Sequence, residues 1–215
     1  MRRWAIAIAL LMGIVLVFLG IRIMTDVPSI VAGTTPADDF AERYVAHPWI
    51  GYGHMLPGAV YLLGAPLQLS RRFRSRHYVL HRRMGRFLVG CAVVSGVLAV
   101  VLGVLFAWGG AIEASASVVF GGWFLFCLVR AIRAIRTNRV SQHRRWMIRA
   151  FAVSIGIATI RIWVGIFTGF QIGLLGMADA TFPIKGTFGP AFWLGLGMHV
   201  LVGEWWLRRT PDLRS

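Results

Sequence analysis

His143-Arg144-Arg145-Trp146-Met147-Ile148-Arg149 and, 62 residues earlier, His81-Arg82-Arg83-Met84-Gly85-Arg86 decide how this chain is built. Each stretch starts with His-Arg-Arg, follows an arginine-rich run and opens into a long apolar segment. Arginine strips that alternate with apolar segments of ~20 residues mark a membrane protein, because a helix of that length crosses ~30 Å of hydrocarbon. Composition agrees. Of 215 residues, 57% are hydrophobic and 14% charged, too few charges to clothe a water-facing surface.

Outward from the two strips, the apolar segments fall near residues 4–24, 49–70, 84–107, 112–136, 146–170 and 188–207. The expected fold is all-α, a polytopic six-helix membrane domain over residues 1–215. The first apolar run is longer than the core of a signal peptide, so an uncleaved helix is expected there. Between it and the second, Thr35-Pro36-Ala37-Asp38 carries helix-start chemistry: a capping hydroxyl, a first-turn proline and an acid near the positive helix end. That predicts a short helix on the outer membrane surface, ended by His47-Pro48. Gly51, Gly58 and Ala65 recur every seven residues, a small-residue stripe along which a neighbouring helix can approach. Pro57 and Pro66 are expected to kink that helix. Gly195 and Gly197 predict another close helix approach. The apolar stretch from Phe170 to Thr187 reads as an outer loop with a half-inserted or surface helix.

Six crossings put both termini on one side. Of the 23 basic residues, 19 lie at the N-terminus, between Arg71 and Arg86, between Arg130 and Arg149, or in the tail. Arg22, Arg43, Arg161 and Lys185 remain for the other side. Basic loops stay cytoplasmic, so both termini are expected inside. This distribution also explains the net charge of +15 without nucleic acid. The arginines sit in short strips, with no zinc-finger spacing, aromatic platform or separate basic domain, and no nucleic-acid partner is expected. Anionic membrane lipids are the expected partners of the strips. Only Lys185 among the basic residues is not arginine, a bias that codon usage in a GC-rich genome would also produce. Cys91 and Cys127 lie inside apolar segments without a CxxC motif and read as packing residues.

At an offset of 62 residues, Arg71 matches Arg133 and Arg74 matches Arg136, which suggests two related hairpins; convergent enrichment of arginine in inner loops is the alternative. Internal repeats in membrane proteins often have sites between them.

At these residues the chain resembles an uncharacterised multi-pass membrane family catalogued as domain of unknown function 2306. The resemblance rests on a His-Arg-x-x-Gly-Arg pattern at His81, Arg82, Gly85 and Arg86. It rests also on His-Arg-x-Trp-Met-x-Arg at His143, Arg144, Trp146, Met147 and Arg149. A histidine early in a preceding helix and an arginine deep in a later one correspond to His54 and Arg161. The likeness extends over roughly residues 50 to 206. It implies a bacterial membrane protein, hence the bacterial cytoplasmic membrane, and no established activity.

Arg161 is the most informative single residue. It falls about 15 residues into the fifth segment, ~22 Å from the inner face by helical rise. Such a charge is costly and normally faces a cavity or a partner; snorkelling to the outer interface is the alternative. His54, about five residues into the second segment, shares its level, with Tyr52 just above. Together they could hold the anionic or carbonyl head of a lipid-like or quinone-like ligand. A core histidine satisfied by a backbone or serine partner is the plainer reading of His54. On the inner side, His81, Arg82, Arg86, His143, Arg144 and Arg149 are expected to contact anions or lipid. Arg149 and Glu204, each one turn inside the inner face, are expected to form a structural ion pair.

Haem b is a further candidate cofactor, with His54 and His199 as possible ligands. Their depths differ by ~9 Å on the same rise, poor for ligation from two sides. No HExxH, GxSxG or phosphate-binding loop occurs, and no catalytic residue is assigned. The reading that follows is a non-enzymatic or accessory membrane protein with a ligand near His54 and Arg161. A b-type haem electron carrier is the alternative, and a small-solute transporter the second.

Overall fold

Apolar runs punctuated by proline, glycine and arginine leave the backbone one economical solution in a bilayer, which is to satisfy its own hydrogen bonds within helices. In a computed structural model of the chain, residues 2–36, 39–175 and 181–210 are described. Among them there are eight helices and no strand: α1 (Arg2–Ala32), α2 (Asp39–Val45), α3 (Pro48–Leu69), α4 (Arg71–Arg76), α5 (Tyr78–Leu105), α6 (Gly110–Arg136), α7 (Val140–Leu175) and α8 (Thr181–Arg209). Four of them contain stretches long and apolar enough to cross a membrane: Ile6–Ala32, Tyr78–Leu105, Gly110–Arg136 and Val140–Gly173. The 22 residues of α3 and the 29 of α8 also suffice in length, but prolines, glycines, a histidine and polar aromatic residues dilute their apolar character.

Several helices outrun the apolar segments that predict them. The first extends to Ala32 rather than residue 24, the third begins at Tyr78 rather than 84, and the fifth runs Val140–Leu175 rather than 146–170. Hydropathy measures the thickness of hydrocarbon, whereas a helix continues wherever its backbone bonds do. Straight-chain arginine is a good helix former, so the interfacial turns stay helical. In α1 the extension is held by an ion pair between Arg22 and Asp26, one turn apart and both buried. The expected outer loop from Phe170 to Thr187 largely resolves into the ends of α7 and α8; residues 176–180, including Met177, lie outside the described residues, as do residues 37 and 38 of the expected helix start.

The core lies among α3, α5, α6, α7 and α8, where Tyr61, Leu62, Ala92, Phe124, Leu128 and Ala150 pack together. Outward-facing positions carry large apolar groups, such as Leu10, Val31 and Leu201 at 66%, 81% and 72% exposure, a covering suited to lipid rather than water. Helix α1 is peripheral: among the described residues it touches only α2, α3 and α7. The small-residue stripe of α3 has its close approaches: a Cβ on Gly51 would meet Tyr44 of α2, one on Gly58 would meet Ser95 of α5, and Ala65 is buried. α7 and α8 form the most extensive helix pair. At their crossing a Cβ on Gly156 would sit 3.0 Å from the carbonyl oxygen of Gly195.

α2 is more than a surface helix. Its Ala41, Arg43 and Tyr44 are buried, so it plugs the end of the bundle. At the arginine-rich end, α5 and α7 begin at positions 62 residues apart, Tyr78 and Val140. His81 and His143 are each the fourth residue of their helices. The His81 amide donates to the His77 carbonyl at 2.8 Å and the His143 amide to the Arg139 carbonyl at 3.0 Å. The echo between the motifs therefore extends to the backbone.

Candidate functional site

A cavity of about 210 Å³ lies inside the bundle, bounded by residues of α1, α2, α3, α5, α6, α7 and α8. Its wall is mostly apolar, from Phe18 and Leu62 to Phe120, Phe124 and Phe192. Arg43, Tyr44, His54, Glu113 and Arg161 supply polar groups to the same wall.

Most of that charge is neutralised locally. Arg43 Nη1 donates to Glu113 Oε1 at 3.0 Å, with both side chains under a tenth exposed. Its Nη2 donates to the Tyr44 hydroxyl at 3.1 Å. Glu113 also accepts the Gly109 backbone N–H, which fixes the carboxylate from its own helix start. The rings of Phe40 and Tyr44 lie 4.3 and 5.0 Å from the Arg43 guanidinium carbon, in reach of cation–π attraction. Beside this pair, Asp26 accepts from Arg22 and from the Tyr52 hydroxyl at 3.1 Å. Tyr52 also donates to the Arg22 carbonyl at 3.0 Å, so its hydroxyl is engaged with α1 rather than lining the cavity.

His54 and Arg161 line the cavity together. His54 Nδ1 lies 3.0 Å from the Ser95 carbonyl oxygen, which can only accept, so Nδ1 carries the proton. The Ser95 hydroxyl donates back to the His54 carbonyl at 2.8 Å. This reciprocal clamp between α3 and α5 fixes the ring and leaves Nε2 as an acceptor in the neutral form. Arg161 donates from Nη1 to the Ile157 carbonyl, one turn back on α7, at 2.9 Å. Its guanidinium carbon lies 3.7 Å from the Phe18 ring centroid, which ties α7 to α1. Its Nε is buried and, among the described residues, without a hydrogen-bond partner. Among the described residues no carboxylate reaches it within ion-pair distance, whereas Arg22, Arg43 and Lys185 have Asp26, Glu113 and Asp39. An apolar chamber with one uncompensated cation and one oriented imidazole suits a hydrophobic molecule bearing an oxygen-rich head.

His199 stands apart from that chamber. Its Nδ1 bonds the Gly195 carbonyl of its own helix at 2.8 Å, it does not line the cavity, and α3 and α8 do not touch among the described residues. His54 and His199 therefore do not face each other across a common space. Among the described residues no three of His, Cys, Asp and Glu gather as a metal site.

At the opposite end, Arg149 grips Glu204 with two nitrogens, Nε to Oε1 and Nη2 to Oε2, the latter at 2.9 Å, and stacks over Trp146. Arg145 Nη1 donates to the Leu207 carbonyl, and Arg74 Nη1 to that of Leu69 at 2.7 Å, so arginines here cap the ends of α8 and α3. Burial, then the charges of Arg144 and Arg71, hold the Arg74 guanidinium below its usual range. Arg82, Arg86 and Arg144 are exposed.

Nothing local in the sequence marks Arg43 and Glu113 as a pair, because 70 residues separate them and neither lies in a motif. The available signal was balance: the few bases placed on the outer side were accompanied there by acids.

Several long apolar helices, arginine strips at one end and an internal chamber define a multi-pass membrane protein. Residues 51–180 match the family described as "Predicted membrane protein (DUF2306)", and the chain belongs to that family. The match includes His54, Arg161 and both His-Arg-Arg motifs but stops short of Glu204 and His199, less far than the sequence resemblance suggested. No curated protein and no solved structure matches the chain.

Proposed function

We propose that this protein holds a lipid-like or quinone-like molecule inside the membrane, with its oxygen-bearing head between Arg161 and His54 and its apolar body among the aromatic residues of the cavity. The observation that carries this reading is the uncompensated Arg161 guanidinium in a wall it shares with a clamped histidine. An unpaired charge in a low-dielectric interior is expensive, and a bound anionic or carbonyl oxygen offsets that cost. His54 contributes an acceptor for a hydroxyl on the same head group, while Arg161 donates. The role is binding or accessory rather than catalytic. The membrane is the bacterial cytoplasmic membrane, crossed six times with both termini and both arginine strips inside; the helix lengths and arginine distribution support that arrangement.

The test is mass spectrometry of small molecules that co-purify with the full chain. A hydrophobic, oxygen-bearing compound is expected with the unaltered protein and is expected to be lost from Arg161→Ala and His54→Ala proteins that still elute as folded species. Full retention by both variants would overturn the reading.

A further inference from the structure

The cavity does not use the polar groups left open at the arginine-rich end, where α3 ends, α4 turns, and α5 and α7 begin. Gln68, at 9% exposure, has neither its amide nitrogen nor its amide oxygen hydrogen-bonded. Its oxygen lies 3.4 Å from where a Cβ on Gly85 would stand, so the absent side chain of Gly85 leaves room beside it. His81 precedes Gly85 by one turn on the same face of α5, and its Nδ1 is buried without a partner. Arg74, Arg144, His81 and His143 lie within electrostatic reach of one another. Among the described residues none of the four forms an ion pair with a carboxylate.

Two arginines gathered without an acid repel one another, and an amide buried with both ends open forfeits its hydrogen bonds to water. Both costs fall at one place, where α5 and α7 begin and their helix dipoles favour negative charge. Arg74 Nη1 donates to the Gln68 carbonyl at 3.3 Å, and the two motif histidines stand within electrostatic reach of each other although, among the described residues, α5 and α7 do not pack directly together. We propose that Gln68, Arg74, His81, His143 and Arg144 form an inner-face site for a phosphate-type oxyanion. It is filled by the phosphate of a lipid head group or by a free phosphate or soluble phosphoester. The anion neutralises Arg74 and Arg144, accepts from the Gln68 amide and bridges the twin His-Arg-Arg motifs. This site is separate from the chamber at His54 and Arg161.

The full chain, purified in a neutral detergent, is probed in two arms by native mass spectrometry and ³¹P NMR. One arm uses inorganic phosphate; the other uses nanodiscs of phosphatidylglycerol in phosphatidylcholine, against phosphatidylcholine alone. Binding in the first arm identifies a soluble phosphate site. Selective retention of phosphatidylglycerol in the second alone identifies a lipid site. Arg144→Ala and His81→Ala are each expected to weaken binding about tenfold, the scale of one charge-assisted hydrogen bond. Gln68→Glu, nearly isosteric but negative, is expected to abolish it, and provides the second variant if His81→Ala fails to fold. Arg76→Ala removes an arginine of the same strip that, unlike Arg144, does not act on Arg74, His81 or His143, and is expected to leave binding within about twofold. Absence of binding in both arms, or equal loss in Arg76→Ala and Arg144→Ala, would overturn the proposal.

Discussion

Arg161 holds its guanidinium 3.7 Å from the centre of the Phe18 ring, a contact between α7 and the otherwise peripheral α1. The ring face attracts the cation but adds no opposite charge, and among the described residues no carboxylate pairs with it. Phe18→Leu keeps an apolar side chain but removes the π-face, and is expected to destabilise the folded protein by about 1–2 kcal/mol, between the values for an exposed and a fully desolvated cation–π contact. In an Arg161→Met background the same change is expected to cost much less. A double-mutant cycle of unfolding in mixed micelles measures the difference. Equal costs in both backgrounds would mean that Phe18 contributes only packing.

The Arg43–Glu113 pair joins the α2 plug to α6 at 3.0 Å, with exposures of 7% and 2%. Removing one partner strands the other charge in the interior. Glu113→Gln is expected to cost about 3–5 kcal/mol, the range for breaking a buried pair. Replacing both together, Arg43→Met with Glu113→Leu, is expected to recover much of that loss. Denaturation of these two variants beside the unaltered protein in micelles provides the comparison, and a double replacement that costs more than Glu113→Gln would contradict a coupled pair.

The small-residue crossing of α7 and α8 makes a third prediction. A side chain at Gly156 meets backbone of α8, which cannot rotate away, whereas among the described residues nothing lies within 4 Å of a Cβ on Gly165 nine residues later. Gly156→Leu is therefore expected to lower the unfolding midpoint and the folded yield, and Gly165→Leu to be nearly neutral or slightly stabilising through helix propensity. Thermal unfolding of the two variants under identical detergent conditions tests this. Similar losses at both positions would argue against close backbone approach at Gly156.

The same residues explain what was legible in the sequence. Local chemistry with a helical period could be read: the Gly51, Gly58 and Ala65 stripe, the two arginine strips, and the placement of Arg149 and Glu204 one turn inside the same end. Helix ends were harder, because Tyr78 to Met84 and Val140 to Arg145 are polar enough to read as loop yet continue the backbone ladder. The Arg22–Asp26 pair has a local i,i+4 signal, but it straddles residue 24, where the apolar run ends. Pairings between distant helices outside the shared motifs and helix ends had no local signal. Neither Arg43 with Glu113 nor Arg161 with Phe18 can be found by spacing, since bundle geometry brings them together. His54 and Arg161 were associated through depth; their common cavity also depends on helix rotation, which depth alone leaves open.

The proposed six crossings depend on α3 and α8, the two long helices of weaker apolar character, and labelling can test each. In a protein with Cys91→Ala and Cys127→Ala, single cysteines replace exposed Thr34, Arg76, Arg139 and Arg209. If α3 crosses the membrane, Thr34→Cys reacts with an impermeant maleimide in intact spheroplasts, while Arg76→Cys reacts only after permeabilisation. If α3 instead lies along a surface, the two positions share a side and react alike. Arg139→Cys is expected to follow Arg76→Cys, because α5 and α6 carry the chain across and back. Arg209→Cys tests α8 in the same way: protection in intact spheroplasts requires α8 to return the chain to the arginine-rich side. The charge argument favours that result, since the alternative would put Arg208 and Arg209 on the outer face, against the preference that keeps basic loops in the cytoplasm. Labelling of Arg76→Cys in intact spheroplasts would refute the α3 crossing, and labelling of Arg209→Cys the α8 crossing.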